Sequence, residues 1–226
     1  ELTEVLRYLK ETFPSIERVT SYARAKTLAI KSLKDLKELR EAGLARLHVG
    51  LETGDDELLK YIDKGVTSEE HVLGCRKAKE AGFELSVYVM PGLGGRARWR
   101  EHAKNTAKAL NEINPDFIRF RPYIPRKGTL LSEEYERGDF QLSSPHERLR
   151  EIRMMVEDLY VTGRLCFDHF MNSWYRESGS PLFKRDYDGY KFPEEKGIVL
   201  KLIEEGLEID EPIHVHAKDM IELPHL

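Results

Sequence analysis

Cysteine is scarce in this chain of 226 residues: there are two, Cys75 and Cys166. They stand far apart and match no metal-ligand spacing, so the sequence reads as a reduced, cytoplasmic protein with no metal site of its own. No apolar run approaches the roughly 20 residues needed to cross a bilayer, and no signal-peptide pattern is present. A basic surplus is also missing. The formal net charge is -4, which gives no overall footprint for nucleic acid, although local basic patches stay open. Internal repeats and low-complexity tracts are absent. The chain begins at Glu1, and Leu2 to Phe13 already reads as helix. A domain that opens in a helix with no strand before it is expected to be a fragment of something longer.

What is present is an alternation of helical and strand patterns. Leu2, Val5, Leu6, Leu9 and Phe13 recur at helical spacing and Pro14 ends the segment. Arg18 to Tyr22 predicts a weak strand. Ser32 caps a helix through Leu33, Leu36, Leu39 and Leu44, with Gly43 near its end. Leu47 to Leu51 predicts a strand, Asp55 to Lys64 and Ser68 to Ala81 predict helices, and Phe83 to Met90 predicts a strand. Trp99 to Ile113 follows as helix and Phe117 to Ile124 as strand. Elements repeat about every 30 residues, as in βαβ units with a parallel sheet. After that the pattern loosens. Pro125 to Leu142 reads as a surface loop, Ser144 to Thr162 as helix, Arg164 to Phe170 as strand, Asn172 to Phe192 as loop and Pro193 to Gly206 as a last helix. The expected fold is α/β, a partial TIM-type (β/α) barrel of parallel strands with outer helices. Residues 1–142 would form the barrel core and 143–226 a helical and loop extension packed on it.

Candidate functional residues gather where strands end, because parallel sheets hold ligands at those ends. Glu52 stands there, followed by Thr53 and Gly54. Its alternative role is that of a favourable acid at a helix start. Thr53 and Asp55 read as caps, and Lys64, just before Gly65, reads as a surface residue at a helix end. The turn Pro91-Gly92-Leu93-Gly94-Gly95 allows close backbone approach and exposes N–H groups to anions, or else simply makes a tight turn. It lacks P-loop and Rossmann spacing. Arg119 and Arg121 share one face of their strand, either as an inward binding pair or as partners of acids. His169 and Asn172 form a polar cluster after an apolar stretch. His214 and His216 lie on one face of an extended segment that is expected to be solvated.

The ordered set of segments resembles the radical S-adenosylmethionine (radical SAM) enzymes, in the branch of oxygen-independent coproporphyrinogen oxidase-like proteins. The pieces are Phe13-Pro14, Val19-Thr-Ser-Tyr-Ala23, Arg40-Glu-Ala-Gly43, Gly50-Leu-Glu-Thr-Gly-Asp-Asp56, Lys64-Gly65, Lys79-Glu-Ala-Gly82, Met90-Pro-Gly-Leu-Gly-Gly95 and Asn114-Pro-Asp116. The resemblance covers about residues 1 to 125 well and the tail loosely. It implies a 4Fe-4S cluster held by a CxxxCxxC loop and S-adenosylmethionine as cofactor, whose cleavage yields a 5′-deoxyadenosyl radical. By the same resemblance Glu52 and Thr53 lie near the cofactor, and Lys64 neutralises the methionine carboxylate. Tyr88 occupies a ribose-side position where some members carry an acid, and Gly92, Gly94 and Gly95 pass near the adenosine. Arg119, Arg121, His169 and Asn172 are the substrate-side candidates.

The cluster motif itself is missing, and neither Cys75 nor Cys166 can stand for it. The first βα units, with the cluster loop, are therefore expected before Glu1, and this stretch alone is expected to be inactive. Two other readings stand beside it: a cluster-free module binding S-adenosylmethionine or another small molecule, and a phosphate-binding barrel enzyme using Gly92 to Gly95 with Arg119 and Arg121. An incomplete barrel is further expected to leave an apolar interior and a strand edge uncovered, inviting self-association. The substrate is not legible, and nothing points to nucleic acid or membrane as partner.

Overall fold

The computed structural model describes residues 1–221. Six strands form one sheet in chain order: β1 (Val19–Ala23), β2 (Leu44–Glu52), β3 (Glu84–Val89), β4 (Phe117–Phe120), β5 (Arg164–Cys166) and β6 (Tyr190–Lys191). The first five are parallel and β6 runs antiparallel to β5. The helices are α1 (Leu2–Thr12), α2 (Ala25–Ile30), α3 (Leu33–Glu41), α4 (Asp56–Tyr61), α5 (Ser68–Glu80), α6 (Gly95–Ile113), α7 (Leu130–Arg137), α8 (Pro145–Glu157) and α9 (Lys196–Glu208). The fold is thus the expected α/β arrangement, a mostly parallel sheet with outer helices. Among the described residues no helix is long and apolar enough to cross a membrane.

Side-chain alternation divides the sheet into two unlike faces. Leu47, Val49 and Leu51 of β2, Leu85, Val87 and Val89 of β3, and Ile118 and Phe120 of β4 are buried in one core with Leu36, Cys75, Ala107, Ile152 and Ile203 from the helices. The intervening residues form the inner face. Register sets Arg46 beside Glu84, His48 beside Ser86, Gly50 beside Tyr88, Tyr88 beside Arg119 and Arg119 beside Cys166. The interior expected to be apolar is therefore polar and aromatic. Alternation along β2 to β4 predicts this once the helix-covered face is known.

Several segments differ from their sequence reading. Residues 125–142 are not all loop, because α7 forms there: Thr129 caps it through the Ser132 N–H, Gly138 closes it at φ 83°, and Leu131 is buried against a second cluster with Leu58, Leu93, Tyr123 and Phe140. The short helix α2, invisible as a periodicity, is held by close packing. A Cβ on Gly74 of α5 would come within 2.2 Å of the Ala25 carbonyl oxygen. Helix α8 stops at Glu157, short of Thr162, while β4 and β5 end before Ile124 and Phe170. The segment expected to be solvated is anchored instead. His214 is buried, with Nδ1 accepting from the Tyr175 N–H at 3.2 Å and Nε2 lying 2.8 Å from the Gly206 carbonyl oxygen. The sheet itself continues past residue 142 through β5 and β6, and residues 222–226 of the expected extension lie outside the described residues.

Candidate functional site

At its carboxyl end β2 leaves regular geometry. Its register with β3 shifts between Gly50 and Glu52, and Glu52 adopts φ 62°, a left-handed conformation uncommon for a residue with a Cβ. The carboxylate folds back over the strand: a Cβ on Gly50 would stand 2.1 Å from Glu52 Oε1, so a larger residue there would push the carboxylate out of this position. Lys64 meets it from the other side, its Nζ donating to Glu52 Oε1 at 3.0 Å. The chain delivers Lys64 there because α4, capped by Asp55, ends at Ile62. Asp63 at φ 50° and Gly65 at φ 67° then turn the backbone back. Lys64 is thus not a free surface lysine. Glu52, Lys64, Tyr22, Gly50, Tyr88 and His71 line a cleft of about 480 Å³. His71 has both ring nitrogens buried without partners, and burial, with Lys64 nearby, pushes its pKa down to about 4.

Tyr88 joins this cleft to the inner face. Its ring stacks on His48 at 5.6 Å, and its hydroxyl lies 3.2 Å from His48 Nδ1 and 3.5 Å from the Tyr22 hydroxyl. Burial foremost raises the Tyr88 phenol pKa. Burial, reinforced by Arg46, Arg119 and Arg121, lowers that of His48, which favours the neutral imidazole. Beyond Tyr88, Arg119 and Arg121 both reach Asp168, and the Arg121 guanidinium lies 5.0 Å over the Tyr88 ring. The two arginines are inward and partnered by an acid at once.

The remaining candidates sit deeper. Thr53 is fully buried, its hydroxyl 2.7 Å from His102 Nδ1 and accepting from the Asp55 N–H. The glycine turn is closed from behind: the Gly92 N–H donates to both Glu151 oxygens at 3.0 Å, and the Gly95 N–H to the Gly92 carbonyl oxygen. The exposed N–H cradle expected at Gly92 and Gly95 is therefore not found. A Cβ on Gly92 would meet Arg148 Nε at 2.5 Å, and one on Gly94 the Arg98 carbonyl at 3.0 Å. These glycines serve close packing. Asn172 donates to the carbonyl oxygens of Phe120 and His169, fastening the post-β5 loop, and His169 Nδ1 accepts from the Met171 N–H.

Glu151, Arg148 and His102 form a buried polar group that the sequence reading missed. Its signal was available, since Arg148 and Glu151 interrupt the apolar stripe Leu149, Ile152, Met155 and Val156. Asp168, Tyr22 and His48 were also overlooked as site residues. They emerge from strand register rather than from any motif.

Among the described residues no group of three or more His, Cys, Asp or Glu side chains is placed to hold a metal ion. Cys75 and Cys166 are both buried, and burial pushes each thiol up to about 12. These residues do not fit an iron–sulfur cluster. Both thiols are expected to resist iodoacetamide in the folded protein and to react after denaturation, as read by mass spectrometry. Labelling of either one in the native state would show that its burial is wrong.

Strands β1 to β3, the strained strand-end carboxylate and the lysine opposite it lie within one matched stretch. Residues 1–106 match the family model of the Radical SAM superfamily. The chain is 27% identical over 111 residues to tRNA uridine(34) acetyltransferase of Methanocaldococcus jannaschii, covering 48% of this chain and 20% of that protein. It is 38% identical over 82 residues to the heme chaperone HemW of Bacillus subtilis, covering 35% and 22%. The structure of the archaeal Methanocaldococcus infernus Elp3, with an N-terminal deletion, superposes with a TM-score of 0.56 at 22% identity over 83% of this chain and 42% of that one. That likeness concerns the fold. The chain spans about a fifth of the length of these curated relatives.

Proposed function

We propose that this chain forms the S-adenosylmethionine-binding side of a radical SAM enzyme, with Glu52 and Lys64 as its polar clamp. The observation that carries this reading is the Glu52–Lys64 pair, 3.0 Å apart in a cleft at the end of β2 and inside the matched segment. The amino-acid end of the cofactor bears one carboxylate and one ammonium. A lysine and a glutamate already facing each other present the complementary charges, and each can exchange its partner for the ligand's. The Tyr22 and Tyr88 rings offer flat apolar surface for the nucleoside, with hydroxyls at their edges. Thr53, Gly92, Gly94 and Gly95 do not line this cleft. Bound S-adenosylmethionine supplies a sulfonium whose reductive cleavage starts radical chemistry in this superfamily. The described residues do not fit the cluster itself.

The same clamp serves the second reading, a cluster-free binding module. Iron content of the full-length protein separates the two. The phosphate-binding reading loses its cradle, since the Gly92 and Gly95 N–H groups are engaged. The relatives' names point to different substrates, a tRNA uridine and heme, so neither is carried over.

Titration calorimetry with S-adenosylmethionine tests the clamp. Lys64→Ala is expected to weaken binding by about tenfold or more, the loss of one charge-assisted hydrogen bond. Lys64→Arg should recover part of it. Equal affinity in wild type and Lys64→Ala would overturn the assignment.

A further inference from the structure

Three guanidinium groups face the inner side of the sheet, Arg46, Arg119 and Arg121, against two carboxylates, Glu84 and Asp168. Arg46 is engaged with its own acid: its Nε lies 2.6 Å from Glu84, Nη1 donates to the Tyr187 hydroxyl at 2.5 Å, and the group sits over Phe117 and Tyr187. That leaves two arginines for one aspartate, and their settings differ. Arg119 is wholly buried, with Nε donating to Ser86 Oγ at 3.1 Å, Nη1 3.0 Å from Asp168 Oδ2, and the guanidinium 3.7 Å over Tyr187. Its Nη2 is buried with no hydrogen-bond partner. Arg121 keeps 22% of its side chain exposed and reaches Asp168 at 3.2 and 3.3 Å. Those are loose contacts beside the roughly 2.7–2.9 Å usual between a guanidinium and a carboxylate.

We infer that Arg119, Arg121 and Asp168 form a subsite for a carboxylate group of the substrate, with Arg121 as the group that binds it. The inference rests on the proposed function only in calling this carboxylate the substrate's. A half-buried cluster with one uncompensated positive charge is costly, and an anion repairs it. His48, on the β2 side, is pushed toward its uncharged form by burial and by these arginines. The anion is planar with two oxygens, because that is the shape these two arginines already grip in Asp168. Arg119, fixed by Ser86 and Tyr187, retains Asp168 while Arg121 turns its fork to the ligand. Tyr88 is the wall shared with the Glu52–Lys64 cleft, since its ring lies beneath Arg121 and its side chain lines that cleft. The bound carboxylate therefore sits one aromatic ring away from the Glu52–Lys64 cleft.

Succinate is the probe, titrated into the wild type, Arg121→Gln, Arg121→Lys and Lys64→Ala, with S-adenosylmethionine titrated into the same samples. The wild type is expected to bind succinate in the millimolar range, and Arg121→Gln to lose about tenfold, the value of one charge-assisted pair. Arg121→Lys should fall between them, because an ammonium lacks the two-pronged geometry. Lys64→Ala should keep succinate affinity, and Arg121→Gln should keep S-adenosylmethionine affinity, so failure of one site is read apart from failure of the other. No succinate binding by the wild type, or equal binding by Arg121→Gln, overturns the subsite. Inorganic phosphate bound as tightly as succinate overturns its assignment to a carboxylate.

Discussion

Glu151→Ala is expected to destabilise the protein by about 3–5 kcal/mol, the usual cost of removing one partner from a buried charged group. Glu151 is fully buried on α8, accepts the Gly92 N–H with both oxygens, and has Oε1 3.2 Å from His102 Nε2. Arg148 lies one turn earlier, its Nη2 donating to the Tyr123 carbonyl oxygen. Alanine would leave the Gly92 N–H without an acceptor and Arg148 without its nearby acid. Against a total stability of about 5–15 kcal/mol, the variant should melt early or fail to fold. Urea denaturation measures it, and a loss under about 1 kcal/mol would show that the group is not interdependent.

Glu151→Gln separates charge from acceptor, since its amide oxygen still receives the Gly92 N–H. Burial pushes the Glu151 carboxyl from an ordinary 4.5 up to about 8, so between those values the native state holds the extra proton. Its contribution is complete below about pH 4.5 and lost as pH rises through about 8. His102 runs the other way: burial lowers it to about 4, and its contribution, present above its ordinary 6.5, is lost as pH falls through about 4. The stability of Glu151→Gln relative to wild type should therefore rise between pH 4.5 and 8, by at most about 1.4 kcal/mol per pH unit. A pH-independent difference would contradict the shift.

Gly54→Ala is the second large effect. A Cβ there would stand 2.4 Å from the Asn105 carbonyl oxygen and 2.8 Å from Thr106 Cα, both backbone atoms of α6 that cannot rotate away. The Gly54 N–H also donates to Thr106 Oγ1 at 2.9 Å, and Asp55, the cap of α4, is held by Asn105 and Arg98. Forcing α6 outward is expected to cost about 1–3 kcal/mol and to weaken cofactor binding, because α4 leads to Lys64. Gly197→Ala serves as the control, since nothing lies within 4 Å of its Cβ position on α9. Thermal melts should separate the two variants, and a wild-type melt for Gly54→Ala would refute the close contact.

Much of the architecture was legible because it is written in local chemistry. Thr67 and Glu70 make a complete capping box at α5, Ser144 and Glu147 another at α8, and Ser32 caps α3. Helix α6 shows how boundaries slip. Periodicity starts it at Trp99, whereas it begins at Gly95 and breaks at Arg98, φ -128°, where Arg98 turns to hold Asp55. Helix α7 was missed because only Leu131 and Ser132 are buried, too few to print a stripe. At the candidate site, Glu52 was legible as a polar residue ending an apolar run. Its pairing with Lys64 was not, since the two stand twelve positions apart with a helix and the left-handed Asp63 between them. The Arg119–Arg121–Asp168 group was half legible: two arginines two apart share a face, but their aspartate lies just past the end of the neighbouring strand β5, 47 residues on from Arg121. Sequence spacing reads contacts along one element, while contacts across a sheet wait on register.

Glu52 also sets a hazard for anyone engineering this fold. At φ 62° a glycine would be more comfortable, and a side chain there costs about 1 kcal/mol or more. A programme that ranks variants by melting temperature alone would replace this residue early and record the change as an improvement. It would thereby discard the carboxylate facing Lys64, and nothing in a thermal melt would register what had gone.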